Sequence, residues 1–329
     1  MKNLLGIHHV TAITSDAKKI YEFYTQILGM RLVKKNVNQD DIKTYHLFFA
    51  DDIGSPGTDM TFFDFQGISA KQEGNNEIAR TGFRVASDAA LDYWLKRFAH
   101  YNIKHSEIKT RFKRKYIEFE DFDQQKYALY SDENVAGVAA GTPWQWGPVP
   151  NEYAIVGLGP VTLRVSDVNQ MHQILVQLLK FEHKDSDNQY LLYETGAGGN
   201  GASVIIEWSK NPIIAHQGYG AVHHVAFRVE DTNHLLEWKE YFDQLNLRNS
   251  GYVDRHYFES LYIRLYPNIL FELATDGPGF IDDQETYETL GQTLTLPPHL
   301  RQYEAYVYET LKPFDSSMEK PMKKEYFND

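Results

Sequence analysis

The chain reads as an α+β protein built from four βαβββ modules in two tandem halves, and three observations carry that reading. A short strand-like segment recurs four times: GIHHVTAIT from Gly6, TGFRVAS from Thr81, GLGPVTLRVSD from Gly157 and AVHHVAFRV from Ala221. Each copy runs into an acidic residue, Asp16, Asp88, Asp167 or Asp231, and then into a stretch of apolar residues at helical spacing. An Asp oxygen accepts hydrogen bonds from the free N–H groups of a first helical turn, so the four acids are expected N-caps. Behind each helix come strand-like runs separated by turn residues. The copies are too far apart and too irregularly spaced for a solenoid.

In the first copy, Ile20, Phe23, Tyr24, Ile27 and Leu28 share one helical face and Gly29 ends the helix. Three strands follow: MRLVKKNV from Met30, TYHLFFA from Thr44 and MTFFDF from Met60, with the GSPGT turn before the last. The same order places helices at 89–101, 168–179 and 232–245. Residues 135–152, VAGVAAGTPWQWGPVPNE, are rich in Gly and Pro and lack periodicity, which marks a connection between halves. The expected division is an N-terminal domain over 1–145 holding modules one and two, a linker over 146–152, and a C-terminal domain over 153–329 holding modules three and four. The Gly-rich run Gly196–Gly201 lies between two strands rather than before a helix, so it is a hairpin turn and not a phosphate cradle. Pro298 opens a last helix, and the tail beyond Lys312 is expected to fray.

Composition narrows the function. At 329 residues the chain is long enough for two cores, and it contains no Cys, which excludes disulfides, thiolate metal sites and a Cys nucleophile. A formal net charge of -12 argues against nucleic-acid binding. The one basic run, RFKRKY from Arg111, is expected as a solvated strand or hairpin. The start lacks a signal-peptide h-region and no stretch approaches the ~18 apolar residues of a membrane span, so a cytoplasmic protein without a membrane partner is expected.

Only the first and fourth copies carry a His-His pair. Side chains alternate along a strand, so the apolar Val225, Phe227 and Val229 face the helix while His224, Ala226 and Arg228 face the other way. Alignment of the copies puts His9 in phase with His224, and His8 with His223, which parity turns toward the helices. The last strand of copy four, NILFELATD, carries Glu272 within an apolar run. Burying an ionised carboxylate costs several kcal/mol unless a partner compensates, and a divalent cation is such a partner. Aligned strand ends set Phe63, Ala128 and Glu207 against Glu272 in the other copies, with Asp64 turned away. The expected ligands are therefore His9, His224 and Glu272, with Glu207 weaker because Pro160 stands where its histidine is needed. Two histidines, one carboxylate and no fourth ligand make up a facial triad, which leaves positions on Fe(II) open to O2 and substrate.

GIHHVT, the GSPGT turn with MTFF, the TPW…GPVP segment followed by GLGP, HHVAF, DRHYFESLYIR and FELATDGPGF together resemble the hydroquinone-type ring-cleaving dioxygenases of the vicinal oxygen chelate (glyoxalase/extradiol dioxygenase) superfamily. The resemblance covers nearly the whole chain up to about Lys312. It implies that modules one and four share a metal cup and that His9, His224 and Glu272 hold Fe(II), or Mn(II). It also implies pocket roles for His8 and His223, Thr11 as a wall, and Arg255 and Tyr262 on the substrate side. By type the two histidines titrate near neutrality, which suits proton shuttling, and the Tyr262 hydroxyl suits a hydrogen bond to an oxygen intermediate. The implied partners are a small aromatic substrate and O2, with a homo-oligomer compatible. Two departures from the commoner pattern, Glu259 and the Tyr266-Pro267-Asn268 turn, bear on substrate identity. Alternative readings are a glyoxalase-like isomerase, marked by a fourth ligand from Glu207 or Asp64, and a metal-free binding protein of the same fold.

Overall fold

The computed structural model describes residues 2–327. Each module has the expected order. Module one consists of β1 (Ile7–Ile13), α1 (Ala17–Glu22) extended by a π-turn over Phe23–Ile27, β2 (Arg31–Asn38), β3 (Asp41–Ala50) and β4 (Asp59–Phe63). Module two has β5 (Glu77–Val85), α2 (Asp88–His100), β6 (Lys109–Arg111), β7 (Arg114–Glu120) and β8 (Lys126–Ser131). Module three has β9 (Ile155–Val165), α3 (Val168–Gln173) with a second π-turn over Ile174–Leu178, β10 (Glu182–Asp187), β11 (Tyr190–Glu194) and β12 (Ser203–Trp208). Module four has β13 (Val222–Val229), α4 (Thr232–Gln244), β14 (Val253–Asp254), β15 (Phe258–Tyr266) and β16 (Ile269–Pro278). A 3-10 turn over Pro298–Tyr303 leads into α5 (Glu304–Thr310).

Asp16, Asp167 and Asp231 cap their helices as expected, each accepting from a backbone N–H three residues on. In module two the cap is Ser87, whose Oγ accepts from Ala90 N, and Asp88 is instead the first helical residue. A Ser hydroxyl serves this role as well as a carboxylate, and Asp88 in the first turn still favours the helix dipole.

Strand pairing runs across the two halves of the chain. One eight-stranded sheet has the order β14-β15-β16-β13-β1-β4-β3-β2 and joins modules one and four; the other, β10-β11-β12-β9-β5-β8-β7-β6, joins modules two and three. In each, the first strands of two modules pair antiparallel at the centre, and each first strand pairs parallel with the last strand of its own module. Each sheet curls into a cup. The helices and outer strand faces form one continuous core: Tyr24 of module one meets Phe83 and Tyr127 of module two, and Phe181 of module three meets Phe227 of module four.

Two further expectations change. The tail is pinned rather than frayed: Phe314 and Ser316 are buried, and Glu325 accepts from Tyr101 and from Arg97, whose fully buried guanidinium also donates to the carbonyls of Gln26 and Ile27. These bonds tie the end of α1, α2 and the tail together; Asn328 and Asp329 lie outside the described residues. The basic run is a β6–β7 hairpin turned by Phe112 and Lys113, both at positive φ, but it is not all solvated. Arg114 is buried and donates to Asn200, Ser203 and Glu194. The Gly196–Gly201 run does connect β11 to β12 as a hairpin.

Candidate metal centre

His9 on β1, His224 on β13 and Glu272 on β16 come together on the concave face of the cup shared by modules one and four. His9 Nε2 and His224 Nε2 lie 3.1 and 2.9 Å from Glu272 Oε2, and 3.2 Å from one another. All three side chains are buried, Glu272 completely. Apart from these two imidazole nitrogens nothing reaches Glu272 Oε2, an acceptor of the kind that native interiors leave unpaired only where something else binds it. Among the described residues this is the one group of three or more His, Cys, Asp or Glu able to hold a metal ion.

The remaining polar atom of each candidate ligand is occupied. Glu272 Oε1 accepts from Ser260 Oγ at 2.5 Å, His9 Nδ1 contacts His8 Nδ1 at 2.9 Å, and His224 Nδ1 contacts His223 Nδ1 at 2.8 Å. The proton positions follow from the network. His8 Nε2 lies 2.9 Å from the Thr275 carbonyl, which can only accept, so His8 carries its proton on Nε2 and accepts at Nδ1. His9 must then be protonated at Nδ1, and its Nε2 lone pair is free for a cation. Outer partners that fix the ligand tautomer in this way are what metal-binding histidines ordinarily have. Two nitrogens and one carboxylate oxygen, with their free lone pairs converging, fit a facial-triad cation such as Fe(II).

Strand parity misplaces His8 and His223, and the reason is local. In the β1–β13 ladder Ile7 pairs with Phe227 but His9 with Ala226, so His8 is an extra residue; Thr11 pairs with His224 but Ala12 with Val222, so His223 is its counterpart. Each is a β-bulge, which breaks the alternation and turns two successive imidazoles to the same side. His8 is sealed in with both ring nitrogens engaged, whereas His223 lines the cavity and its Nε2 has no protein partner. Burial, aided by the neighbouring His9 or His224, pushes both down to about 3. They are therefore neutral at physiological pH, not half-charged as their type suggests. Burial lowers His224 as well, which suits a neutral ligand. Burial alone would raise the Glu272 carboxyl, yet His9 and His224 hold it well below the usual carboxylate range.

A cavity of about 330 Å³ opens beside the triad. Its module-four wall carries Tyr262 and Arg255. Arg255 Nε donates to Tyr262 Oη at 3.1 Å and its Nη2 to Asp40 at 2.9 Å, so Arg255 is both ion-paired and on the cavity. Because Tyr262 Oη accepts from Arg255, its own proton is left to point elsewhere. The module-one wall is apolar, with Phe48, Phe63 and Phe65, and also carries His46. Thr11 stands behind it with Oγ1 2.8 Å from Thr61 Oγ1.

The ladder registers correct the position opposite Glu272. Glu272 pairs with Ala226, and the residue pairing with Thr11, the counterpart of Ala226, is Thr61; in module three Thr162 pairs with Ile205. Phe63 and Glu207 are each two residues off, since aligning strand ends ignores differences in strand length. Glu207 instead meets Arg164 at 3.2 Å, and Asp64 accepts from Tyr45 N at 2.7 Å, so neither approaches the triad. Glu259 accepts from Tyr252 and does not line the cavity, and the Pro267-Asn268 turn lies near module three, where Tyr266 Oη accepts from Asp167 N. Sequence reasoning missed Ser260, Thr61 and His46. The alternation of TYHLFF, which sets His46 in phase with Phe48, was the available signal for the last.

Curled βαβββ modules paired first strand to first strand, with three candidate metal-binding side chains converging on one concave face, define a two-cup architecture. The chain belongs to the Glyoxalase/Bleomycin resistance protein/Dioxygenase superfamily, whose sequence profile matches residues 6–128 and 157–280. It is 41% identical over 314 residues, 94% of this chain and 98% of the relative, to a Bacillus subtilis (strain 168) protein named "Putative ring-cleaving dioxygenase MhqA". It is 31% identical to a chlorohydroquinone/hydroquinone 1,2-dioxygenase of Sphingobium indicum, over 90% of this chain and 92% of that one. A crystal structure titled as a putative dioxygenase from Bacillus subtilis superposes with a TM-score of 0.88 at 32% identity, covering 96% of this chain and 99% of that chain. Maize glyoxalase I, at 15% identity, 82% and 92% coverage and a TM-score of 0.56, shares the fold. No helix among the described residues is long and apolar enough to cross a membrane.

Proposed function

We propose that this protein is an Fe(II)-dependent dioxygenase that opens the ring of a hydroquinone-type aromatic with O2, using His9, His224 and Glu272 as ligands. The observation that carries the reading is the count of ligands. Three donors converge, and Thr61, not a carboxylate, holds the place opposite Glu272. A four-ligand isomerase site would need a metal-binding side chain there. The full-length similarity to ring-cleaving dioxygenases supports the same reaction class.

Bound Fe(II) supplies Lewis acidity toward a phenolic oxygen and electrons toward O2. The protein's residues supply the rest. Phe48, Phe63, Phe65 and Phe258 flank the ring and exclude water, which strengthens every polar contact inside. If His224 ligates through Nε2, its Nδ1 proton goes to His223 Nδ1, which leaves the His223 proton on Nε2 at the cavity. That N–H can donate a hydrogen bond to the substrate's hydroxyl oxygen. Tyr262 keeps its proton to high pH, chiefly through burial, and is placed to donate it to an oxygen at the triad. Arg255 sets the Tyr262 hydroxyl and adds positive charge where an anionic oxygen would develop. His8, locked between Thr275 and His9, positions a ligand and moves no proton.

The test is metal analysis of anaerobically iron-loaded protein, followed by O2 uptake with a panel of hydroquinones and catechols. The expected result is one Fe per chain and one O2 consumed per hydroquinone, with both oxygen atoms in the product. Absence of O2 uptake with every dihydroxybenzene, together with anaerobic turnover of a hemithioacetal, would overturn it.

A further inference from the structure

His46 has no place in the scheme so far, yet its ring is firmly oriented on the module-one wall. Its imidazole is held between the rings of Phe48 and Phe63, with centroids 4.0 and 4.4 Å away. Nε2 is anchored 3.0 Å from Thr61 Oγ1, which is itself 2.8 Å from Thr11 Oγ1. No protein group bonds Nδ1, although the ring lines the cavity. In the sheet order the triad occupies β16, β13 and β1; Tyr262 on β15 lies to one side, and His46 on β3, beyond β4, lies to the other. The curl of the sheet brings these flanks to face each other across one cavity. His46 pairs with Phe63, one pleat along from Phe48, which pairs with Thr61 at the height of the triad. It therefore stands off the level of the ligands by two residues, about 6.6 Å along the strand at ~3.3 Å per residue.

Most other polar groups of the cavity are committed. Asn36 Nδ2 donates to Tyr257 Oη and its Oδ1 accepts from Val37 N, and Arg255 is taken by Asp40 and Tyr262. A ring with one oxygen at the triad and a second oxygen on its opposite edge presents that far oxygen away from the metal. An apolar wall would leave it unpaired.

We propose that His46 is a specificity-determining residue whose Nδ1 hydrogen-bonds the far, para hydroxyl of the substrate, with Thr61 and Thr11 holding the imidazole in place. The proposal rests on reading the cavity as an aromatic-substrate site. It assigns to module one the recognition of the second hydroxyl.

The conservative variants separate this role from a structural one. An Asn side chain carries its polar atoms where imidazole Nδ1 lies, and a Gln side chain where Nε2 lies. In anaerobic iron-loaded protein, hydroquinone should bind about tenfold more tightly than 4-methylphenol, which lacks the far oxygen, as expected when a buried partner is left unpaired. His46→Gln should abolish that preference and raise KM for hydroquinone about tenfold with kcat little changed, whereas His46→Asn should keep most of it. Thr61→Val, which removes only the anchor, should weaken the preference about threefold. Circular dichroism confirms that each variant is folded. The opposite order, with Gln restoring and Asn not, would show that His46 acts only through Thr61 and overturn the proposal. So would equal binding of the two phenols by the unaltered protein, or an unchanged preference in all three variants. Because the binding comparison needs no turnover, absence of O2 uptake would count against the dioxygenase reading alone.

Discussion

The two cups share a backbone plan and differ in what their side chains do with the concave face. In the cup of modules one and four, histidines, a carboxylate and small hydroxyls cover the floor and leave a cavity. In the cup of modules two and three the matching places are Arg80 for His9, Pro160 for His224, Ile205 for Glu272 and Ala128 for Thr61. Tyr116 and Tyr130 stack there at 5.1 Å, Arg111 lies 3.5 Å over the Tyr190 ring, and Arg80 pairs with Glu118 at 3.2 Å. Even the backbone closes in: a Cβ on Gly82, the counterpart of Thr11, would sit 2.4 Å from the Pro160 carbonyl oxygen. The lesson is that this fold makes a concave face in either case, and the side chains decide whether it is filled. A filled cup holds the molecule together, while an open one leaves buried polar atoms to a ligand.

The comparison breaks first if the triad is not the seat of activity. Glu272→Ala should reduce iron content and O2 uptake to background, with Tm changed by no more than about 5 °C, because the second cup and the shared core remain. Metal analysis and a calorimetric melt check both halves of that statement. Thr61→Glu would place a second carboxylate opposite Glu272. Iron should be retained while O2 uptake falls by about two orders of magnitude, the open positions having been lost. Retained O2 uptake would mean that ligand number does not set the chemistry. Ser260→Ala leaves Glu272 Oε1 without its donor and should weaken iron binding by about 10–100-fold, read from a chelator competition. The smallest effect on activity is expected in the filled cup. Arg114→Ala leaves the half-buried carboxylate of Glu194 without its cation and should cost about 1–2 kcal/mol of stability, with O2 uptake per folded molecule unchanged. Loss of activity in the folded variant would show that the two cups are coupled.

Two features of the site were legible because they depend on composition at fixed spacing. Matched His-His pairs in two of four repeats and a lone Glu in an apolar strand identify the triad, since burying such groups requires a compensating partner. The bulges were not legible. Parity assumes an unbroken ladder, and whether one strand carries an extra residue depends on the strand beside it, which here comes from the other half of the chain. The same limit misplaced the residue opposite Glu272, because register is a property of a pair of strands.

By itself the sequence determined the four-module α+β plan and the helices with three of their four caps, and it singled out His9, His224 and Glu272 as candidate ligands, since each follows from periodicity, local hydrogen bonding or the cost of burying charge. The tertiary structure alone decided that His223 faces the cavity while His8 is sealed, that Thr61 stands where a fourth ligand would, that His46 joins the wall, and that the tail is pinned by Arg97. All of these are set by contacts between residues far apart in the chain, whose geometry exists only once the strands have paired and the sheet has curled.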